Sequence, residues 1–140
     1  MPEPQRVHLV LPRHPHAELD AGHAVETLGL EVGFSHDTLA EIRLAVVEAC
    51  LNALEYGGGE VEIEVTACAD GSPRLEVSVI DHGPGFDPTV VPRPQLRAKL
   101  RADRKRGWGL ELMRRLMDEV EISSRPGRTQ VRMVRRQRGG

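Results

Sequence analysis

Two polar side chains interrupt the otherwise apolar run "LAVVEACLNAL", and they stand four residues apart: Glu48 and Asn52. At helical spacing they share one face, about one turn from each other. A carboxylate in an apolar helix costs stability unless something pairs with it. Such a pair can simply hydrogen-bond to neighbouring backbone. It can equally floor a cavity, with Glu48 handling a proton and the Asn52 amide oxygen binding a hard cation such as Mg²⁺. A magnesium site with few protein ligands usually takes a phosphate as its partner.

A second stretch, "VIDHGPGFDP", puts a carboxylate where an apolar, β-rich run ends. Ionised, Asp81 only accepts hydrogen bonds, which suits an exocyclic amine such as that of adenine. Gly83 and Gly85 lack a Cβ, so the backbone can bend there and a flat ligand can come close. Phe86 is placed to plug the underside of such a pocket. A tight turn opened by an Asp gives the same pattern. In the third stretch, "RGWGLEL", Gly107 and Gly109 precede a helical pattern. Free N–H groups at a helix start, with the helix dipole, can cradle phosphate, although glycines open many helices. Trp108 between them reads as a packing or gating residue.

The elements that must hold these groups follow from periodicity. "RVHLVLP" alternates and ends at a proline, a strand. From His16 to about Val32 the apolar spacing is helical, with Gly29 and Gly33 loosening the end. Ser35 caps a second helix that stops at Gly57-Gly58-Gly59. "EVEIEVTACA" and "PRLEVSVID" are strands joined by a hairpin signal, Asp70-Gly71. Residues 87–106 are proline-rich and then basic. A third helix from near Gly107 leads to "VEISS", a turn at Pro126-Gly127 and a last strand, "TQVRMVRR". The order β-α-α-β-β-loop-α-β-β predicts an α+β two-layer sandwich, with three helices on one face of a mixed sheet. Residues 1–140 form a single domain.

Composition sets the remaining bounds. With 140 residues, a net charge of −2 and 3% aromatics, nothing argues for nucleic acid, a membrane surface or a base-stacking platform. The core must be built from Leu, Val, Ile and Ala. Cys50 and Cys68 lie in apolar segments without metal-like spacing, and read as buried free thiols in a reducing compartment. The first residues lack the apolar run of a signal peptide. The expectation is a soluble, cytoplasmic protein.

In order, a buried E-x-x-x-N helix, a D-x-G-x-G-F loop after a strand, a long basic loop and a G-x-G-L helix start resemble the GHKL ATPase superfamily. The nucleotide-binding domain of that superfamily is the Bergerat fold. The matching segments are "EACLNALEY" (N box), "DHGPGFD" (first glycine box) and "GWGLELMRRLMDEVEI" (second glycine box), and the likeness runs through essentially the whole chain. Topoisomerase, mismatch-repair and chaperone members carry large extra domains. A sensor histidine kinase needs a helical hairpin bearing its phosphoacceptor. "FSHDTLAEIR" superficially resembles that motif, but His36 shares a helix with Glu48 and reads as a helix-start residue. What remains is similar to the free-standing bacterial serine kinases that act as anti-sigma factors, through "VHLVLPRHPHAEL" and "LMDEVEI…TQVRM".

That resemblance implies a homodimer that holds a sigma factor from RNA polymerase and uses ATP to phosphorylate a serine on a STAS-domain anti-anti-sigma protein. It implies Glu48 as general base and Asn52 as the Mg²⁺ ligand. It also implies Asp81 on the adenine amine, Gly83, Gly85 and Phe86 around the base, and Thr129 supporting it. Gly107, Gly109 and Leu110 would wrap the phosphates beneath a lid of residues 87–106. The sequence departs from the family pattern in three places. Tyr56 stands where many members have histidine, Arg128 replaces the usual glycine before Thr129, and His23 lies near an arginine position thought to face the protein partner. The alternatives are a nucleotide-binding regulator without transfer chemistry and a detached histidine-kinase catalytic domain.

Overall fold

The computed structural model describes residues 4–12, 16–56, 60–69, 71–83 and 104–137. Strand β1 (Gln5–Leu11) leads into helices α1 (Glu18–Val32) and α2 (His36–Tyr56). Strands β2 (Val61–Cys68) and β3 (Arg74–Asp81) follow, then α3 (Arg104–Leu116), β4 (Glu119–Arg125) and β5 (Arg128–Arg136). The element order is the one predicted from periodicity.

The sheet runs β1-β2-β3-β5-β4, and every neighbouring pair is antiparallel. The expected mixed sheet is therefore corrected. Strands β3 and β4 do run in the same direction, since β5 is antiparallel to both. They are not neighbours, because β5 enters between them and runs against both. Between β1 and β2 the chain makes two helical crossings, so β2 returns opposite to β1.

Alternation along the strands decides which face meets the helices. In β2, Val61, Ile63, Val65 and Ala67 are buried, while Glu62, Glu64 and Thr66 turn the other way. Leu75, Val77 and Val79 extend the inner face in β3. Against it lie Ile42, Val46, Ala49 and Cys50 of α2, Ala21 and Val25 of α1, and Met113 of α3. Phe34 is the sole aromatic among the described core residues, as the composition requires. Both cysteines are free: Cys50 is buried and Cys68 half-buried. Burial first, and the charge of Glu18 second, push the Cys50 thiol up, so it stays protonated and behaves as a small apolar side chain. No described helix is long and apolar enough to cross a membrane.

Small residues end α1 and let α2 pack closely against it. Gly33 adopts φ +103°, and with Phe34 it closes α1 by a Schellman motif: Gly33 N–H donates to Leu30 C=O and Phe34 N–H to Gly29 C=O. Gly29 does not loosen the helix end. A Cβ there would stand 2.2 Å from Leu39 Cδ2, so the glycine lets α2 approach. Ser35 caps α2 as predicted, its Oγ accepting from Thr38 N–H at 3.2 Å. On the helical side of β5, Arg135 donates from Nη1 to the Leu116 carbonyl at the end of α3, and its Nη2 meets Glu41 of α2 at 2.9 Å. One guanidinium thus ties both helices to the sheet.

Candidate functional site

Helix α2 lies between α1 and α3 over the sheet. Ala45, Val46, Ala49, Cys50 and Ala53 bury most of its circumference, leaving Glu48 and Asn52 half-buried on one stripe. The Asn52 Oδ1 atom is fully buried and has no hydrogen-bond partner among the described residues. Leaving a buried acceptor unpaired costs about 1–3 kcal/mol. An amide oxygen held this way has the donor chemistry that a hard cation takes, so the residues present fit a magnesium ion. Among the described residues no three His, Cys, Asp or Glu side chains gather as a metal site.

Asp81 ends β3 and is 8% exposed. Its Oδ1 accepts from Gly83 N–H at 3.0 Å, an Asx turn within the stretch that drew notice in the sequence. Gly83 C=O in turn accepts from Gly127 N–H at 3.0 Å, fastening this turn to the β4–β5 connection. Thr129 stands directly opposite Asp81 in the β3–β5 register and is buried. Its hydroxyl lies 2.8 Å from Ser124 Oγ. Register alone therefore brings together Asp81 and Thr129, which are far apart in sequence.

The remaining predicted residues divide. Gly85 and Phe86 lie outside the described residues, as do residues 87–103 of the predicted lid. Residues 104–106 already belong to α3, so Gly107 and Gly109 sit within its first two turns instead of preceding it. Arg104, Lys105 and Arg106 are good helix formers, so the helix begins upstream of the glycines. Leu110 is half-buried in the same helix.

Sequence reading missed two features. Ser124 had no pattern of its own and becomes visible only through Thr129. On the other face of the sheet, Glu62 is bonded by two imidazoles: His82 Nε2 lies 2.8 Å from Oε2 and His8 Nε2 lies 3.1 Å from Oε1. The hydrogen bond from His82, then that from His8, hold the Glu62 carboxyl below its ordinary range.

The model of the histidine kinase-like ATPase domain matches residues 12–135, nearly the full length of this fold. The chain belongs to that family. This ATPase domain is similar to the serine-protein kinase RsbW of Bacillus velezensis, 33% identical over an alignment of 108 positions, with 70% of this chain and 65% of that protein covered. The serine-protein kinase RsbW of Bacillus subtilis matches with the same identity and coverage. The chain thus spans 65% of the length of these curated relatives. A crystal structure of the RsbU and RsbW domains of Rv1364c from Mycobacterium tuberculosis superposes with a TM-score of 0.69 at 22% identity, covering 97% of this chain and 34% of that one. At that identity the superposition establishes the fold.

Proposed function

We propose that this ATPase domain binds Mg-ATP and transfers its γ-phosphoryl group to a serine of a STAS-domain anti-anti-sigma protein. In the same reading it is a cytoplasmic homodimer that sequesters a sigma factor. The observation that carries the proposal is the buried, unpartnered Asn52 amide oxygen one helical turn from Glu48. The names of the relatives, serine-protein kinases, point the same way.

Each group then has a task that its position suits. With Asp81 Oδ1 engaged by Gly83, Oδ2 accepts from the adenine amine. Gly83 leaves room for the base, and Thr129, oriented by Ser124, supports the adenine edge; Gly85 and Phe86, outside the described residues, take their place in this reading from the family resemblance alone. Gly107, Gly109 and Leu110 adjoin the phosphates, with residues 87–106 as the lid. Asn52 would hold Mg²⁺, which when bound neutralises charge on the phosphate oxygens. Glu48 takes the proton from the serine hydroxyl as its oxygen attacks the γ-phosphorus and the bond to the β-phosphate oxygen breaks, releasing ADP. Phosphoryl transfer asks chiefly for positioning and charge neutralisation, which such a pocket supplies.

Incubation with Mg-ATP and a STAS-domain partner should give phosphoserine, and Glu48→Gln should remove it while leaving nucleotide binding in place. Absence of phosphoserine in a proven complex, with ATP bound, would sink the transfer step and leave a nucleotide-gated binding module. Acid-labile phosphohistidine on the partner would instead mark a detached histidine-kinase domain.

A further inference from the structure

The His8–Glu62–His82 cluster lies on the face of the sheet away from the helices, yet it is joined to the candidate adenine site by one residue. His82 sits between Asp81, whose side chain is buried on the helical face, and Gly83, whose N–H Asp81 binds. Glu62 holds His82 at 2.8 Å and is itself held from the other side by His8 in the edge strand β1. We propose that Glu62 is a positioning residue: through His82 it fixes the Asp81–Gly83 turn, and so makes nucleotide affinity depend on imidazole protonation. This rests on Asp81 as the adenine acceptor.

The charge environment permits that coupling. Directly across from Glu62 stand Val10 in β1 and Ile80 in β3, both uncharged, so nothing of opposite sign competes at those positions. Glu64 of β2 lies across from His8 and adds negative charge beside it. Arg6 is the remaining charged position of β1 on this face. In β3, Glu76 is already taken by Arg74 and Arg132. From β5, Arg128, Arg132 and Arg136 share the face, and Arg136 is paired with Glu119. Among the described residues no three His, Cys, Asp or Glu side chains gather as a metal site, and the ligand proposed for this cluster is the proton.

A neutral imidazole can donate one hydrogen bond to a carboxylate, but a protonated one adds a full charge to it. The brace is therefore tightest where Glu62 is ionised and the imidazoles carry their second proton, and it weakens as that proton is lost. The sign is fixed: affinity should fall as pH rises from 6 to 8. A half-exposed ion pair of this kind is worth enough to change affinity about two- to fivefold.

The decisive experiment compares calorimetric titrations of ADP into wild type and Glu62→Gln at pH 6 and pH 8. Titration of the nucleotide's own phosphates is common to both proteins and cancels in their ratio. The expected result is a ratio of about two to five at pH 6 that shrinks toward one at pH 8, with His82→Gln behaving like Glu62→Gln. A ratio that stays constant with pH overturns the proposal. In nucleotide-free protein, the Gly83 amide resonance should titrate together with the His82 ring in wild type and lose that titration in Glu62→Gln; a Gly83 amide indifferent to His82 also overturns it. Failure of wild type to bind ADP at any pH, with the Gly83 titration intact, removes the adenine reading and leaves the brace standing.

Discussion

A buried carboxylate with one oxygen bonded to the Gly83 amide has one oxygen left for a ligand, which makes Asp81 the most informative single position. In Asp81→Asn the amide oxygen can keep the Gly83 bond, but the new NH₂ group then faces the adenine amine, donor against donor. The expected loss is about 1–3 kcal/mol, or roughly five- to 150-fold in ATP affinity, with little change in Tm. Calorimetry and a thermal melt on the same samples check both halves. Asp81, Glu48 and Asn52 were legible in the sequence because each is a polar residue where an apolar pattern demands otherwise. Glu62 was not, since an acid on the outward phase of a strand is ordinary. Its two histidines lie 54 and 20 residues away and meet it only through strand register.

Among the elements, the α1–α2 pair depends on Gly29 more than its place near a helix end suggests. Leu39 is 2% exposed, so its methyl group cannot swing aside for a Cβ at Gly29. Gly29→Ala should cost about 1–3 kcal/mol by overpacking, against the gain in helix propensity that alanine brings. Urea unfolding of Gly29→Ala, Leu39→Ala and the double variant tests this. Leu39→Ala should cost less in the Gly29→Ala background than in wild type, and strict additivity would remove the explanation. Element order could be read from the sequence because apolar period is local. The pairing of the strands could not, since insertion of β5 between β3 and β4 is settled by contacts distant along the chain. The start of α3 was misread for a different reason: glycine permits a helix boundary without requiring one.

At the scale of the whole molecule, helices and sheet are held by the shared apolar layer and by few polar ties. Arg135 is the clearest of these, because it joins β5 to the last carbonyl of α3 and to Glu41 of α2. Arg135→Met keeps much of the stem's packing but leaves the Leu116 carbonyl without that donor. It should lower stability by about 1–3 kcal/mol, read as a lower urea midpoint with an unchanged m-value. Acid should loosen the sheet from its outer face. Burial alone would raise the Glu76 carboxyl, but Arg132 and Arg74 outweigh it and hold it below the ordinary range, as the histidines do for Glu62. Both groups contribute stability that is present above about pH 4.3 and lost as pH falls through their lowered values. The central place of β5 also has a consequence for biosynthesis. When β3 leaves the ribosome, the strand that will cover its flank and set Thr129 opposite Asp81 has yet to be translated. At ordinary elongation rates that interval lasts roughly 2–10 s. Throughout it the growing polypeptide shows a bare β3 edge with Val77 and Val79 beneath, a natural target for a chaperone. If nucleotide binds where we propose, it cannot shorten the wait, because Asp81 and Thr129 are brought together among the last steps of folding.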